Sequence, residues 1–104
     1  MEFVDNKELI SSITEFEVEP NRIVNKVLMD RGDVRVAMIA MSDGQSLAPH
    51  TSPVDVLIVG LQGKATVRIE HQLFSFDEKS VLRFPANTVH AVEALTDFKM
   101  LLIK

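Results

Sequence analysis

The segment Gly44–Gly63, GQSLAPHTSPVDVLIVGLQG, contains the strongest signals for the fold. It begins at a turn, places His50 directly after Pro49, and continues through the apolar stretch VDVLIVG to a second turn at Gln62-Gly63. Short apolar runs bounded by turn residues are typical of buried strands. The segment therefore predicts a strand at Val54–Gly60, with one histidine in the connection that leads into it.

The pattern of this segment continues on both sides of it. The other predicted strands are RIVNKVLMD, DVRVAMIAM, KATVRIE, QLFSF, SVLRF, HAVEAL and FKMLLI. Eight short strands with hairpin-length connections indicate an all-β antiparallel sandwich or barrel over residues 22–103. Residues 1–19 predict a short helix over DNKELISSI and a lead-in strand over EFEVE. No linker or low-complexity run divides the 104 residues, so we expect a single domain.

Composition excludes several classes of function. The net charge of −4 gives no basic surface for a phosphate backbone, so nucleic-acid binding is disfavoured. The chain has no cysteine, which excludes disulfides, thiolate metal sites and cysteine nucleophiles. Its apolar stretches are short and its first residues are acidic, so neither a membrane span nor a signal peptide is expected. We expect a cytoplasmic domain.

Two motifs resemble those of the small single-domain cupins, a family of double-stranded β-helix, or jelly-roll, barrels. Their first motif is G-x5-H-x-H-x3-E-x6-G, to which Gly44, His50 and Gly63 correspond. Their second motif is G-x5-P-x-G-x2-H-x3-N, to which Pro85 and His90 correspond. LQGKATVRI and FPANTVHAV also resemble the family's surrounding sequence. The resemblance covers about residues 22–103 and implies a cupin barrel.

The chain departs from both motifs at positions that matter for chemistry. Ser52 stands at the second histidine of the first motif, and Val56 stands at its glutamate. In metal-binding cupins these would be two of four ligands. In the second motif, Lys79 and Asn87 replace the glycines and Ala94 replaces the asparagine. Asparagine tolerates the left-handed backbone that a glycine turn requires. The resemblance is therefore to a divergent subgroup with an incomplete metal motif.

The resemblance implies that His50 and His90 lie close together in the barrel. They could be two ligands of a divalent transition metal (Zn, Ni, Cu, Fe or Mn), or neutral side chains that line a pocket. Catalytic metal sites usually have three protein ligands, and only two are evident here. Asp55 is one residue away from the glutamate position, so a regular strand would point it to the opposite face. We expect an exposed or interface aspartate there, and we expect His71 in a surface turn.

A binding cavity could lie beneath the two histidines. Gly60 replaces a bulkier apolar residue on the inward-facing side of its strand and could widen such a cavity. The alternative is a bulge or a close chain crossing, which strand glycines often mark. Met38, Phe84 and Met100 could line the same cavity or could be ordinary core residues.

Several predicted strands are apolar on both faces. Leu57 and Val59 face away from the predicted core, and FKMLLI has no polar side. A single small barrel would leave one face polar, so we expect a homodimer that covers these positions. The alternative is that the N-terminal helix covers them.

Three functions remain open from the sequence. The first is a protein that binds a small molecule in an apolar pocket near His50 and His90, a composition that suits ligand pockets. The second is a metal-dependent enzyme of the cupin type, an oxygenase or isomerase, with a two-histidine site. The third is a dimeric accessory protein without a ligand. The fold does not choose between them, because one barrel supports many functions.

Overall fold

A computed structural model describes residues 16–104 of the chain, and the predicted N-terminal helix lies outside these residues. The described residues form an all-β structure. Its strands are β1 (Ile23–Asp30), β2 (Arg35–Met41), β3 (Ser46–His50), β4 (Val56–Gln62), β5 (Lys64–Ile69), β6 (Gln72–Asp77), β7 (Val81–Phe84), β8 (His90–Ala94) and β9 (Phe98–Ile103). No helix long and apolar enough to cross a membrane occurs among residues 16–104.

The strands form two antiparallel sheets that pack face to face as a jelly-roll barrel. Sheet A has the order β1-β2-β9-β4-β7, and sheet B has the order β3-β8-β5-β6. Apolar side chains from both sheets fill the space between them, because alternate residues of each strand point inward. This core includes Ile39, Met41, Val56, Ile58, Ala65, Val67, Phe76, Phe84, Val92, Ala94, Phe98 and Met100. The rings of Phe76 and Phe98 meet edge to face across it, with centroids 5.9 Å apart.

The jelly-roll fold predicted from the sequence is confirmed, with two local corrections. The lead-in strand predicted over EFEVE is absent from its described part, residues 16–19. The chain turns directly after these residues, at Pro20 and Asn21, where the Arg22 amide donates to the Glu19 carbonyl. The structure also contains β3, which the strand pattern did not predict. This strand contains Pro49, lies at the edge of sheet B and lacks a regular alternation, so strand signals are weak in it.

The glycine positions of both motifs share one backbone property. Gly44 and Gly63 have φ values of 86° and 79°, and the motif-two positions Lys79 and Asn87 have φ values of 75° and 63°. All four residues therefore have a left-handed backbone, which costs little for glycine and is tolerated by asparagine. The prediction that Asn87 could replace a glycine is confirmed. Lys79 is the unfavourable substitution, since a lysine gains nothing in this conformation that offsets its cost.

The outer face of sheet A is unusually apolar. Leu57 and Val59 alternate along β4 with the buried Val56 and Ile58, so they point away from the core as predicted. The antiparallel register places them beside β9, where Leu57 pairs with Ile103 and Val59 with Leu101. Across β7, Val59 pairs with Val81, which is 56% exposed. We call these five residues the apolar outer face: Leu57, Val59, Val81, Leu101 and Ile103.

Candidate functional site

The last residue of β3 is His50, and an irregularity precedes it. Strand β3 pairs with β8 through Leu47 and Val92, and then through His50 and His90. The register shifts between Leu47 and His50, because β3 advances three residues while β8 advances two. A bulge of this kind redirects the side chains that follow it. As a result, His50 lies opposite His90, with its own side chain exposed.

The first residue of β8 is His90, which follows the turn that contains Asn87. Thr88 closes this turn by donating from its hydroxyl to the Pro85 carbonyl, at 2.6 Å. The turn delivers His90 into the barrel, where its side chain is 4% exposed. The ring stacks on Phe84 with 4.1 Å between centroids and an interplanar angle of 8°. Phe84 therefore restricts the rotation of the His90 ring and shields one of its faces from water.

The two imidazoles meet at their Nε2 atoms. His50 Nε2 and His90 Nε2 are 3.1 Å apart. Their rings are arranged edge to face, with 4.3 Å between centroids and an interplanar angle of 67°. The proximity of the two histidines, which the sequence only implied through a family resemblance, is therefore present in the structure.

Backbone carbonyls determine which nitrogen of each ring carries the proton. His50 Nδ1 lies 2.7 Å from the Ala48 carbonyl oxygen, and His90 Nδ1 lies 3.2 Å from the Thr88 carbonyl oxygen. A carbonyl oxygen can only accept, so we assign a proton to each Nδ1. In the neutral rings, each Nε2 then carries a lone pair. Two lone pairs face each other across 3.1 Å, an arrangement that a shared proton or another positively charged group would stabilise.

His90 is the partner that stays neutral. Burial lowers the pKa of His90 below its ordinary value, and the nearby charge of His50 lowers this pKa further. The hydrogen bond to the Thr88 carbonyl raises the same pKa but does not offset the other two effects. His90 Nε2 is therefore held as an acceptor.

Solved structures share this architecture. A conserved protein of unknown function from Streptococcus pyogenes is 25% identical with a TM-score of 0.82, and the alignment covers 98% of this chain and 84% of that one. A cupin superfamily protein from Desulfitobacterium hafniense is 27% identical with a TM-score of 0.84, covering 88% and 84% of the two chains. The chain belongs to the cupin superfamily.

Another relative is similar over part of its length only. A cupin 2 conserved barrel domain protein from Leptotrichia buccalis is 35% identical to this cupin with a TM-score of 0.81. The alignment covers 86% of this chain but 44% of that protein. No protein-family profile and no curated protein matches the sequence. The comparisons therefore establish the superfamily and the fold.

The residues at the missing metal-ligand positions have other roles in this cupin. Val56 is buried in the core. Ser52 is also buried, and its Oγ accepts a hydrogen bond from the Val54 amide at 3.3 Å. Among residues 16–104, no group of three or more His, Cys, Asp or Glu side chains is arranged to hold a metal ion.

The donor set of this cupin fits a two-ligand metal site but not the four-ligand site of the family. Two nitrogen ligands with bonds of about 2.0–2.1 Å can be about 3 Å apart in a metal's shell. The separation of the Nε2 atoms is close to this value. Metal-binding histidines also usually donate their other ring hydrogen to a carbonyl or carboxylate, as both histidines do here. Only His50 and His90 would hold the ion, which would supply Lewis-acid chemistry there.

The remaining predicted site residues separate into two groups. Phe84 and Met100 belong to the core, and Phe84 also contacts His90. Met38 does not share their face, because Ile39 pairs with Met100 whereas Met38 pairs with Leu101. Of the two roles that the sequence left open for Met38, a common cavity with Phe84 and Met100 is therefore excluded. Met38 is fully buried on the other face of sheet A.

The role predicted for Gly60 is also corrected. A Cβ atom at Gly60 would collide with the Asp77 carbonyl oxygen, and it would lie 2.7 Å from the Asp77 carbonyl carbon and 3.1 Å from the Phe76 ring. The register between β4 and β9 shifts directly after Gly60. Gly60 therefore marks a bulge with a close chain crossing, the alternative that the sequence left open. It does not widen a cavity.

Neither His50 nor His90 lines any of three surface cavities formed by residues 16–104. The prediction that His71 is a surface residue is confirmed, and it borders a cavity of about 460 Å³ with Arg68, Glu70, Leu73 and Val89. A second cavity, of about 240 Å³, lies on the outer face of sheet B and shares Arg68 and Leu73 with the first. The third, of about 400 Å³, lies between the β1–β2 turn and the segment that follows His50.

Sequence reasoning missed the role of Asp55. This residue was expected to be an exposed or interface aspartate without a specific role. Its Oδ1 accepts a hydrogen bond from the Ala86 amide at 2.7 Å, across 31 positions in the chain. The sequence carries no signal for this contact, because it forms only when two connecting segments meet at one end of the barrel.

Proposed function

We propose that this cupin binds a small molecule at the end of the barrel where His50 and His90 meet. The observation that supports the proposal is the convergence of two Nε2 lone pairs across 3.1 Å, each fixed by a carbonyl at the opposite ring nitrogen. His50 is exposed and His90 is buried. A ligand therefore approaches from the side of His50.

The chemistry of the pair favours a ligand with a hydrogen-bond donor or a positive charge. Two acceptor atoms that face each other repel a carboxylate or phosphate and attract an ammonium group, a hydroxyl hydrogen or a metal ion. Buried His90 is held neutral, so it does not supply the positive charge itself. When the two rings share no proton, the donor or the charge comes from the ligand.

Ligand-observed NMR with a fragment library of matched amines and carboxylates tests this proposal at pH 8. We expect amines to bind in preference to carboxylates, and we expect His50→Ala and His90→Ala to abolish their binding. His71→Ala is the matched control, because that histidine is in a surface turn and faces a different cavity. Preferential binding of carboxylates, or amine binding that survives both alanine variants, would contradict the proposal.

A metal-dependent enzyme of the oxygenase or isomerase type is the second candidate. The observation that favours it is the same Nε2 separation, which suits two ligands of one ion. Elemental analysis decides between the candidates. A stoichiometric metal that survives dialysis against chelator, and that is lost in His50→Ala and His90→Ala, would place the enzyme first. If neither small molecules nor metals bind at the pair, the accessory role without a ligand remains.

We also propose that two copies of this cupin associate through the apolar outer face of sheet A. Leu57 and Val81 are 37% and 56% exposed, although both are large apolar residues on a regular sheet. Val59, Leu101 and Ile103 beside them are half-buried, and an apolar surface patch can mark an interaction site. A two-fold axis would place identical β4 and β9 strands against each other and remove these side chains from water.

A further inference from the structure

The strand ladder holds His50 opposite His90 through a single pair that follows an irregularity. The register of β3 against β8 shifts between Leu47 and His50, where Pro49 cannot donate a hydrogen bond, and it resumes at the His50–His90 pair. Contacts outside this ladder therefore contribute to the relative position of the two histidines.

Two hydrogen bonds join the segments that leave and approach the histidines. The Asn87 amide donates to the Ser52 carbonyl at 2.7 Å, and the Ala86 amide donates to Asp55 Oδ1 at 2.7 Å. Ser52 follows His50 by two residues, and Asn87 precedes His90 by three. The first bond uses only backbone atoms, so it does not depend on which side chains are present. The second depends on the carboxylate of Asp55.

The other oxygen of Asp55 faces the neighbouring strand. Asp55 Oδ2 lies 3.7 Å from the Arg83 guanidinium, with the side chains 56% and 65% exposed. An exposed ion pair at this distance stabilises little by itself. Its effect is geometric. The carboxylate contacts Arg83 and Ala86, which flank Phe84 and Pro85 in the chain. Phe84 is the residue on which the His90 ring stacks.

We propose that Asp55 is a positioning residue that sets the Nε2 separation of His50 and His90. Its carboxylate joins the segment after His50 to the turn before His90. It also contacts Arg83, the neighbour in the chain of Phe84, on which the His90 ring stacks. Groups that hydrogen-bond a metal ligand directly change metal affinity 10- to 100-fold when they are removed, and Asp55 acts one contact further out, so its effect should lie at the lower end of this range. The inference rests on the proposed ligand site, since positioning matters only if the pair binds something.

Asp97 provides a matched control at the opposite end of the barrel. Its Oδ1 accepts a hydrogen bond from the Asp43 amide at 3.0 Å, across 54 positions in the chain. Asp55 and Asp97 are thus both exposed aspartates that join two connecting segments through a backbone amide. Only Asp55 is near the histidines. A general loosening of the barrel should therefore appear in variants of both aspartates, whereas a specific loss of positioning should appear only in variants of Asp55.

The experiment compares wild type, Asp55→Ala, Asp55→Asn and Asp97→Ala, using nickel alone as the probe at pH 8. Calorimetry gives the nickel affinity, and the ring ¹⁵N resonances of His50 and His90 report their environment without any metal. We expect Asp55→Ala to weaken nickel binding about tenfold or more and to move both sets of ring resonances. Asp55→Asn retains an acceptor oxygen and should restore most of both properties, while Asp97→Ala should change neither.

Unchanged affinity and ring resonances in Asp55→Ala would overturn the proposal, as would an equal effect of Asp97→Ala. If wild type binds no nickel, a metal role for the pair fails. The ring resonances then still test positioning. A shift in Asp55→Ala but not in Asp97→Ala supports the proposal, and the lack of a shift in Asp55→Ala overturns it. Should Asp55→Ala fail to fold, Asp55→Glu keeps the charge, displaces the carboxylate by one methylene group and is judged by the same two measurements.

Discussion

His90 Nε2 lies 3.1 Å from His50 Nε2, while the Nδ1 atom of each ring faces a backbone carbonyl. In two neutral imidazoles this arrangement opposes one lone pair to another. The barrel therefore contains a position that a single positive charge would satisfy, whether a proton, an ammonium group or a metal ion supplies it. The small-molecule and metal functions proposed for this cupin differ in which of them binds.

Metal content is the first prediction. Two neutral imidazoles hold an ion without any carboxylate to offset its charge, so binding should be weak and reversible. Protein purified without added metal and dialysed against chelator should carry much less than one ion per chain and stay folded. Elemental analysis and circular dichroism measure both properties. Added copper and nickel should bind more tightly than manganese or iron, and the reverse order would argue against imidazole ligands.

Stability should depend on pH through His90. Its pKa is lowered in the folded protein, mainly by burial, so the unfolded chain binds this proton more readily. The contribution of neutral His90 to stability is therefore complete above about pH 6.5, the ordinary histidine value. It decreases as the pH falls from there towards the lowered pKa. Urea denaturation at several pH values should show this decrease, and His90→Gln should reduce it. An identical pH dependence in His90→Gln would exclude His90 as its source.

Substitution of Gly60 should destabilise the fold. The Asp77 backbone occupies the position that a Cβ would need, so Gly60→Ala forces the β6–β7 connection to move, at a cost of about 2–3 kcal/mol. Gly60→Val should prevent folding. Gly32→Ala is the control, because nothing lies within 4 Å of its Cβ position and only the φ of 89° opposes the change. We expect it to cost about 1–2 kcal/mol. A Gly60→Val protein of wild-type stability would restore the cavity interpretation.

Lys79→Gly should stabilise this cupin. Lys79 is exposed and has a φ of 75°, at a position where the second cupin motif has a glycine. Removal of the left-handed strain should raise the free energy of unfolding by about 1–2 kcal/mol. The greater freedom of glycine in the unfolded chain should lower it by about 0.5–1 kcal/mol. Thermal unfolding should therefore occur a few degrees higher. A melting temperature at or below that of wild type would show that the backbone here is not strained.

Assembly is the last prediction. Light scattering at micromolar concentration should give about twice the chain mass of 11.6 kDa. Leu57→Asp places a charge on the apolar outer face and should shift the protein to monomers. Leu73→Asp is the matched control, since Leu73 is 68% exposed but lies on sheet B. A monomeric wild type, or dissociation by Leu73→Asp, would exclude an interface on sheet A.

The predicted strands and their turns were recoverable from the sequence because their signals are local. Alternating apolar residues and left-handed turn positions act within a few residues, and this was enough to place Val56 and Ile58 in the core and Leu57 outside it. Strand β3 was missed for the same reason, since Pro49 and the bulge before His50 weaken every local signal. The pairing of His50 with His90 was available only through the resemblance of two motifs.

The sequence by itself determined eight of the nine strands among residues 16–104, their turns and the replacement of two metal-ligand positions of the first cupin motif by Ser52 and Val56. Tertiary structure alone decided three further features of this cupin: the protonated nitrogen of each imidazole, the close crossing of Gly60 by the Asp77 backbone and the contact of Asp55 with Ala86. The last two are contacts between residues 17 and 31 positions apart, and the first depends on the backbone conformation that brings a carbonyl two residues away to each ring. Local sequence preferences act over a few residues and carry no information about such contacts.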